Sequence, residues 1–349
     1  MSRLEDVLEL VEVSSVSRHE AALCALVEAR LRSSVHLEVE RIGDNVVART
    51  TGRRAARLLV AGHLDTVPGD SARARIDGDV VRGVGACDMK GSLAVMIELA
   101  SDPTPRSVEV TWVFYAREEI SRAESGLVEI AQLRPDLLLA DVAVLGEPTG
   151  GRVEAGCQGS LRVELDLAGR RAHSARPYVG RNAVHRLAPL IARIASYEPR
   201  SVSIDDVTFT EQLQAVAVEG GVAANVVPDR VTLTVNHRVA PDRTRDDAVA
   251  ELEAFLADQF EESDEFRVAD WAPAATPSLG NDRLAALVRL TGRPPVAKVG
   301  WTDVATFQSL EIPATNFGAG DPLLAHRDDE FVTRDELDEF ARVLRKWLA

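Results

Sequence analysis

The sequence predicts an α/β protein, in which a doubly wound, mostly parallel sheet is interrupted by an inserted α+β domain. Short apolar runs alternate with helical stretches at both ends of the chain, which is typical of a parallel sheet covered on both faces. The middle of the chain alternates apolar and polar residues, as in LRVELDLAG, which is typical of antiparallel strands with one solvated face. The 349 residues are long enough for about two domains.

The first part of the chain predicts two helices followed by strands and helices in alternation. An apolar stripe at helical spacing begins at Leu4. Ser17, with Glu20 three residues later, predicts a capping box for a second helix over 20–31. The strands expected after it are LEVERI, NVVART, RLLVAG, VEVTWVFYA and DVAVLGEP, with helices over 91–100 and 127–133.

The pattern changes near Gly156 and changes back after WAPAATPSL. Between these points the sequence predicts an antiparallel sheet with two helices on one face. Its elements are expected at 160–169, 183–194, 214–218, 231–235 and 246–260. A helix over 282–290, the strand-like IPATNF and a helix over 334–348 then return to the first pattern. We therefore predict one domain formed by residues 1–157 and 273–349, and an inserted domain of residues 158–272.

The net charge of the chain restricts the partners that it can bind, and its cysteines indicate the cellular compartment. The 40 basic and 55 acidic side chains give a net charge of −15, so nucleic acid and anionic membranes are poor candidates for partners. Cys24, Cys87 and Cys157 form no CxxC motif, which argues against a disulfide framework or a thiolate zinc site. No signal peptide and no apolar run of about 18 residues is evident. We expect a cytoplasmic protein without a membrane segment.

Acidic residues and histidines follow the predicted parallel strands at the points where they end. The carboxyl ends of parallel strands meet at one edge of a sheet, where ligands bind. Carboxylates gathered there would repel one another, and a divalent cation relieves that repulsion. The sequence therefore predicts a metal site. Its candidates at strand ends are His63, Asp65, Glu118, Glu119 and Glu147; two further candidates lie in loops, Asp88 in the Gly-flanked GVGACDMKG and His326 in GAGDPLLAHRDDE.

Five motifs carry a resemblance to a known family. In their order and approximate spacing, they resemble the motifs of the co-catalytic zinc aminoacylase, carboxypeptidase and desuccinylase family: GHLDTVP, GVGACDMKG, FYAREE, LGEPT and GAGDPLLAH. Within that family the chain is similar to the actinobacterial succinyl-diaminopimelate desuccinylases, through AHSARPYVGRNAVH, GGVAANVVPD, VNHRVAPDR and GWTDVATF. The resemblance covers nearly the whole chain. It implies that residues 1–157 and 273–349 form a zinc-dependent catalytic domain and that residues 158–272 form a dimerisation, or lid, domain.

The resemblance implies two Zn²⁺ ions, for which Co²⁺ is an alternative. His63 and Glu147 would hold one ion, Glu119 and His326 the other, and Asp88 would bridge the two. Strand geometry agrees with different roles for Glu119 and its neighbour Glu118, because adjacent side chains on a strand point to opposite sides.

The implied reaction is hydrolysis of N-succinyl-L,L-2,6-diaminopimelate to succinate and L,L-diaminopimelate, by water that the metal activates. Glu118 would be the general base, and Asp65 would orient His63 through its second ring nitrogen. His173 would reach the active site of the partner subunit, which implies a homodimer. The substrate itself would contact Arg238, Asn225 and Thr302.

Several alternatives stay open. Without the resemblance, His173 reads as a surface histidine, Arg238 as part of a salt bridge and Asn225 as a turn residue. Thr306 and Leu323 depart from the expected pattern near the substrate. The enzyme could therefore be another N-acyl amino acid deacylase, similar to acetylornithine deacetylase, or a metallodipeptidase. A non-catalytic homologue that binds metal or an amino acid is a further alternative.

Overall fold

The computed structural model describes residues 2–349. Within this range the α-helices are α1 (Arg3–Glu12), α2 (Ala21–Arg32), α3 (Gly91–Ser101), α4 (Gly126–Leu133), α5 (Leu187–Ala195), α6 (Arg245–Leu256), α7 (Asp282–Thr291), α8 (Val304–Ser309) and α9 (Arg334–Trp347). The β-strands in the same range are β1 (Leu37–Ile42), β2 (Asn45–Thr50), β3 (Arg57–His63), β4 (Arg75–Asp77), β5 (Val80–Arg82), β6 (Glu109–Tyr115), β7 (Val142–Leu145), β8 (Glu154–Ala155), β9 (Gly159–Ala168), β10 (Ala172–His173), β11 (Ser201–Ile204), β12 (Val207–Thr210), β13 (Gln212–Gly220), β14 (Val226–Val227), β15 (Arg230–Val239), β16 (Glu265–Ala272), β17 (Val296–Ala297), β18 (Ala314–Asn316) and β19 (Phe331–Thr333).

The first of two compact units comprises the chain up to Gly156 together with Pro277–Ala297 and Thr302–Ala349. Its eight-stranded sheet has the order β1-β2-β6-β3-β7-β18-β8-β17. The neighbours β6, β3, β7 and β18 run parallel to one another. All residues of β6 are buried, as expected of a strand that is covered on both faces. The predicted doubly wound, mostly parallel sheet is confirmed.

The second unit comprises Cys157–Thr276 and Lys298–Trp301. Its four-stranded antiparallel sheet has the order β13-β15-β9-β16, so β13 lies at an edge. Alternate residues of β15, such as Val231 and Leu233, are buried in one apolar core with residues of α5 and α6. The predicted α+β architecture is confirmed. The bounds of this unit differ from the expected 158–272 by a few residues and by the separate segment Lys298–Trp301.

A buried polar cluster lies in the second unit around His237 of β15, and it also contains Tyr197, Glu211 and Arg243. The His237 ring is 2% exposed, and its Nε2 atom lies 3.4 Å from the Tyr197 hydroxyl and 4.0 Å from Glu211 Oε2. Its Nδ1 atom has no hydrogen-bond partner among the described residues. Burial, with a contribution from the positive charge of Arg243, lowers the pKa of His237 to about 4.

Two local predictions were wrong. The Ser17–Glu20 capping box does not form, because α2 begins at Ala21 without a side-chain cap. The Ser17 hydroxyl instead donates to Asp65, at 2.8 Å, and Glu20 accepts the main-chain N–H groups of Arg18 and Arg117 at 2.9 and 3.1 Å. The helix expected from residue 183 begins only at residue 187, after a short 3₁₀ turn.

One further result concerns a strand that the sequence analysis left out, and another concerns membrane segments. Strand β16 was not predicted; it pairs with β9 and completes the sheet of the second unit. Among residues 2–349, every helix is too short or too polar to cross a membrane.

Candidate metal centre

Three parallel strands of the first unit end next to candidate ligands. Strand β3 ends at His63 itself, β6 ends three residues before Glu118, and β7 ends two residues before Glu147. Since these strands are parallel neighbours, their carboxyl ends lie at the same edge of the sheet. Asp88 belongs to an irregular turn, Ala86–Lys90, that precedes α3.

Acidic side chains surround His63 at this edge. One ligand atom from each of His63, Asp88 and Glu119 lies within 4.8 Å of the others. The Nε2 atom of His63 is 3.0 Å from Asp88 Oδ1 and 3.9 Å from Glu147 Oε1. The His63 ring and the Asp88 side chain are both largely buried. The structure thus brings these four predicted ligands together.

The second predicted histidine completes the cluster from the C-terminal part of the chain. His326 Nε2 lies 3.0 Å from both carboxylate oxygens of Glu119 and 3.5 Å from Asp88 Oδ2. The two oxygens of Asp88 therefore face two different imidazoles. We call His63, Asp88, Glu119, Glu147 and His326 the acid–histidine cluster.

The distances within this cluster fit a dinuclear metal site. Zinc bonds to histidine nitrogen and carboxylate oxygen are about 2.0–2.2 Å long, so two ligands of a tetrahedral ion lie about 3.3 Å apart. The separations of 3.0–3.9 Å between the imidazole nitrogens and the facing oxygens bracket that value. A carboxylate whose two oxygens face two histidines is suited to bridging two ions. The donor atoms present can therefore hold metal ions.

The orientation of His63 is fixed by Asp65, through the second ring nitrogen. The Nδ1 atom of His63 lies 2.9 Å from the main-chain carbonyl oxygen of Asp65, whereas the nearer carboxylate oxygen is 3.6 Å away. A hydrogen bond from Nδ1–H to that carbonyl leaves Nε2 as the atom that faces the other acids. The group that orients His63 is therefore the main-chain carbonyl of Asp65 rather than its carboxylate.

The carboxylate of Asp65 organises the segment after β6. It accepts the main-chain N–H groups of Glu118 and Glu119 at 2.9 and 3.0 Å, and the Ser17 hydroxyl. Burial alone would raise the pKa of Asp65, but the neighbouring His63 and these donors hold that pKa below its usual value. Asp65 stays ionised and fixes the backbone that presents the two glutamates.

The electrostatics of the cluster favour an added positive charge. Burial raises the pKa of Glu118 well above its usual value, although part of this residue reaches the surface, and the charge of Glu147 raises it further. The hydrogen bond with Glu119 raises the pKa of His326 to about 9, against the effect of partial burial. The acids thus stabilise a cation, which a proton or a metal ion can supply.

A residue that the sequence analysis missed supports Asp88. The buried carboxylate of Glu330 accepts the main-chain N–H groups of Cys87 and Asp88, both at 2.8 Å. Lys90, also buried, donates from Nζ to the carbonyl of Val13 at 2.8 Å. Nothing in the local sequence marks Glu330, since its partners lie 243 and 242 residues earlier.

The residues of the second unit that were predicted to act on the substrate lie in two separate places. His173 and Asn225 are exposed neighbours, because β10 pairs with β14 and Ser174 N–H donates to the Asn225 carbonyl at 2.9 Å. Arg238 lies on β15, half-buried, and it forms no ion pair with a described carboxylate. Burial lowers the pKa of its guanidinium.

Three residues of the first unit were expected at or near the substrate: Thr302 as a contact, and Thr306 and Leu323 as departures from the expected pattern. Thr302 is buried and its hydroxyl donates to Asn316 Oδ1 at 2.9 Å. Thr306 is buried as well and donates to Asp303 at 2.6 Å. Leu323 is 80% exposed.

Known proteins resemble this chain over nearly its full length. The family model described as peptidase family M20/M25/M40 matches residues 59–349. A Mycobacterium tuberculosis protein, provisionally named as the succinyl-diaminopimelate desuccinylase DapE, is 45% identical over 348 residues, or 99% of this chain and 97% of the relative. The succinyl-diaminopimelate desuccinylase of Corynebacterium glutamicum is 40% identical over 97% of this chain and 94% of the relative.

Solved structures share the fold at lower sequence identity. A tripeptidase from Staphylococcus aureus superimposes with a TM-score of 0.80 at 20% identity, over 99% of this chain and 96% of that one. An M20 family metallo-carboxypeptidase from Sulfolobus solfataricus superimposes with a TM-score of 0.77 at 18% identity, over 100% and 98% of the two chains.

Proposed function

Because the chain belongs to peptidase family M20/M25/M40, we propose that it removes the succinyl group from N-succinyl-L,L-2,6-diaminopimelate by hydrolysis. The products would be succinate and L,L-diaminopimelate, a precursor for lysine synthesis. The observation that carries the proposal is the acid–histidine cluster, in which one carboxylate faces two imidazoles. The two relatives that bear the desuccinylase name, at 45% and 40% identity, support this choice of substrate.

The acid–histidine cluster would hold two Zn²⁺ ions, or Co²⁺ in their place. His63 and Glu147 would hold one ion, Glu119 and His326 the other, and Asp88 would bridge them. When bound, the ions would polarise the scissile carbonyl and make water more acidic. With three carboxylate ligands, the loaded site would carry a charge of about +1, which favours a developing oxyanion.

Glu118 would move the proton in this reaction. Its raised pKa suits a group that accepts a proton at neutral pH and then releases it. Glu118 would take a proton from the attacking water, and would deliver it to the amide nitrogen as the bond to the succinyl carbonyl breaks. The two N–H groups held by Asp65 fix the main chain on which Glu118 sits.

His173 would stabilise the oxyanion in the active site of the partner subunit. Its Nδ1 atom accepts the main-chain N–H of Ala175 at 3.0 Å, so a neutral ring carries its proton on Nε2 and can donate it. A homodimer would form through the second unit, where the edge strand β13 exposes Val216 and Val218. An exposed apolar edge strand is a surface that another chain commonly covers.

Arg238 and Asn225 would contact the substrate. A half-buried guanidinium without a carboxylate partner is poised to bind an anion, and its planar donors match a carboxylate. The exposed Asn225, next to His173, would donate or accept a further hydrogen bond. Thr302 is the weakest of the three proposed contacts, because its hydroxyl is buried and bonded to Asn316.

The departures at Thr306 and Leu323 make other N-acyl amino acids or dipeptides the alternative substrates. Purified, metal-loaded protein should therefore be assayed with N-succinyl-L,L-diaminopimelate, N-acetylornithine and a dipeptide at equal concentrations. We expect the highest kcat/KM for the succinyl compound. A higher kcat/KM for another substrate would replace the proposed specificity but keep the hydrolase chemistry.

The role of Glu118 is tested with the variant Glu118→Ala. Its turnover of the preferred substrate should fall about 10²–10⁴-fold. It should retain both metal ions, because Glu118 is not a proposed ligand. Full activity in this variant would remove the assignment of the general base.

A further inference from the structure

Glu330 connects the two segments of the chain that carry Asp88 and His326. Its Oε1 atom accepts the main-chain N–H groups of Cys87 and of Asp88 itself, each at 2.8 Å. Its own main-chain carbonyl accepts the N–H of Gly83 at 3.0 Å. Since Glu330 follows His326 by four residues, three hydrogen bonds tie the His326 segment to the Asp88 segment.

The Asp88 segment needs such external support. Asp88 and Met89 have non-helical dihedral angles within the turn Ala86–Lys90, so the regular hydrogen bonds of a helix do not fix the direction of the Asp88 side chain. Glu330 is 1% exposed, so bulk water does not compete with its carboxylate for these N–H groups in the folded chain. Burial lowers the pKa of the nearby Lys90 to about 7, and the charge of Glu330 partly opposes that shift.

We propose that Glu330 is a positioning residue that holds Asp88 and His326 at the separation needed to bind two metal ions. This inference rests on the proposed function, because it concerns the same metal site. Glu330 touches neither a metal ligand atom nor, in our proposal, the substrate. It acts through two main-chain N–H groups, which we call the Glu330 clamp.

The test measures metal affinity rather than activity. Metal-free wild type and Glu330→Ala are titrated with Zn²⁺ against a chromogenic chelator, and the Co²⁺ absorption spectrum of each is recorded. We expect the affinity of Glu330→Ala to fall roughly 10–100-fold, as is usual when a residue that supports metal ligands is lost. Glu330→Gln keeps an oxygen at the Oε1 position and should bind Zn²⁺ nearly as tightly as the wild type, with a similar Co²⁺ spectrum.

Glu109 provides a matched control in the same unit. It is a buried glutamate at the opposite end of β6 that also accepts two main-chain N–H groups, those of Gly52 and Arg54 at 3.0 and 3.3 Å. Glu109→Ala should lower thermal stability but leave the Zn²⁺ affinity unchanged. If Glu330→Ala behaves in the same way, Glu330 is only a structural carboxylate and the proposal is wrong.

A replacement variant and three further outcomes separate the Glu330 clamp from the proposed metal site. If Glu330→Ala does not fold, Glu330→Asp replaces it, since aspartate keeps the charge but is too short to reach both N–H groups. Tight binding in Glu330→Asp with weak binding in Glu330→Gln would show that charge matters and would overturn the clamp. A wild type that binds no metal would overturn the proposed metal site, whereas normal binding in every Glu330 variant would overturn the clamp alone.

Discussion

The buried His237 should make the second unit less stable as the pH falls below about 6.5. The pKa of the His237 ring is about 4 in the folded chain, against about 6.5 for an unperturbed histidine in the unfolded chain. The unfolded chain therefore binds a proton that the folded chain excludes, so the contribution of His237 is fully present above pH 6.5 and is lost as the pH falls towards 4. Linkage between these two values gives a loss of roughly 1 kcal/mol at pH 5.5 and roughly 2–3 kcal/mol at pH 4.5.

Hydrogen exchange of the main-chain amides of β15 measures this loss within the second unit. The opening free energies of wild type and His237→Phe are compared at pH 7.5, 5.5 and 4.5, after correction for the intrinsic exchange rate. Phenylalanine has a similar size and cannot titrate, so the wild type should lose roughly 2–3 kcal/mol relative to this variant between pH 7.5 and 4.5. Parallel pH profiles in the two proteins would refute the reasoning.

Three other perturbations test the proposed chemistry. Removal of metal by a chelator should lower the melting temperature by roughly 5–10 °C, because an ion at a hundred times its Kd contributes about 2.7 kcal/mol; an unchanged melting curve would argue against the metal site. His173→Ala should reduce turnover without loss of metal, and mixing it with Glu118→Ala should restore part of the activity through hybrid dimers. No recovery would mean that His173 does not act across a dimer. Arg238→Ala should raise KM roughly 10–100-fold, the usual effect of losing a hydrogen bond to a charged group, and a KM close to that of the wild type would exclude a contact with the substrate carboxylate.

The acid–histidine cluster could be predicted largely because the ends of buried parallel strands can be located from the sequence. Each buried apolar run marks a strand, and the residues after parallel neighbours must meet at one edge. His63, Glu119 and Glu147 could therefore be placed together before their distances were known. Asp88 and His326 do not follow strands; a Gly-flanked loop before a helix and an acidic loop near the C-terminus made them candidates.

The supporting contacts could not be predicted, because they depend on partners that are remote in the sequence. Ser17 and Glu20 have the spacing of a capping box, yet Ser17 bonds to Asp65 and Glu20 to two main-chain N–H groups. The capping-box spacing was therefore misleading, because both side chains form hydrogen bonds with residues that are remote in the sequence. Glu330 reads as one acid among several in HRDDE. Strand β16 was missed because the alternation of apolar and polar residues in EFRVADWA breaks at Val268 and Ala269.

The position of β18 has a consequence for how the protein is made. This strand lies between β7 and β8 in the large sheet, but the ribosome synthesises it only after the whole contiguous part of the second unit, Cys157–Thr276. The eight-stranded sheet therefore cannot be completed until residues 314–316 have been synthesised, by which time the contiguous part of the second unit can already fold. The nascent chain holds Asp88 and Glu119 without His326 during this interval, so we expect the complete metal site to form only after the C-terminal segment emerges. Proteolysis of ribosome-bound chains of increasing length would follow this order of folding.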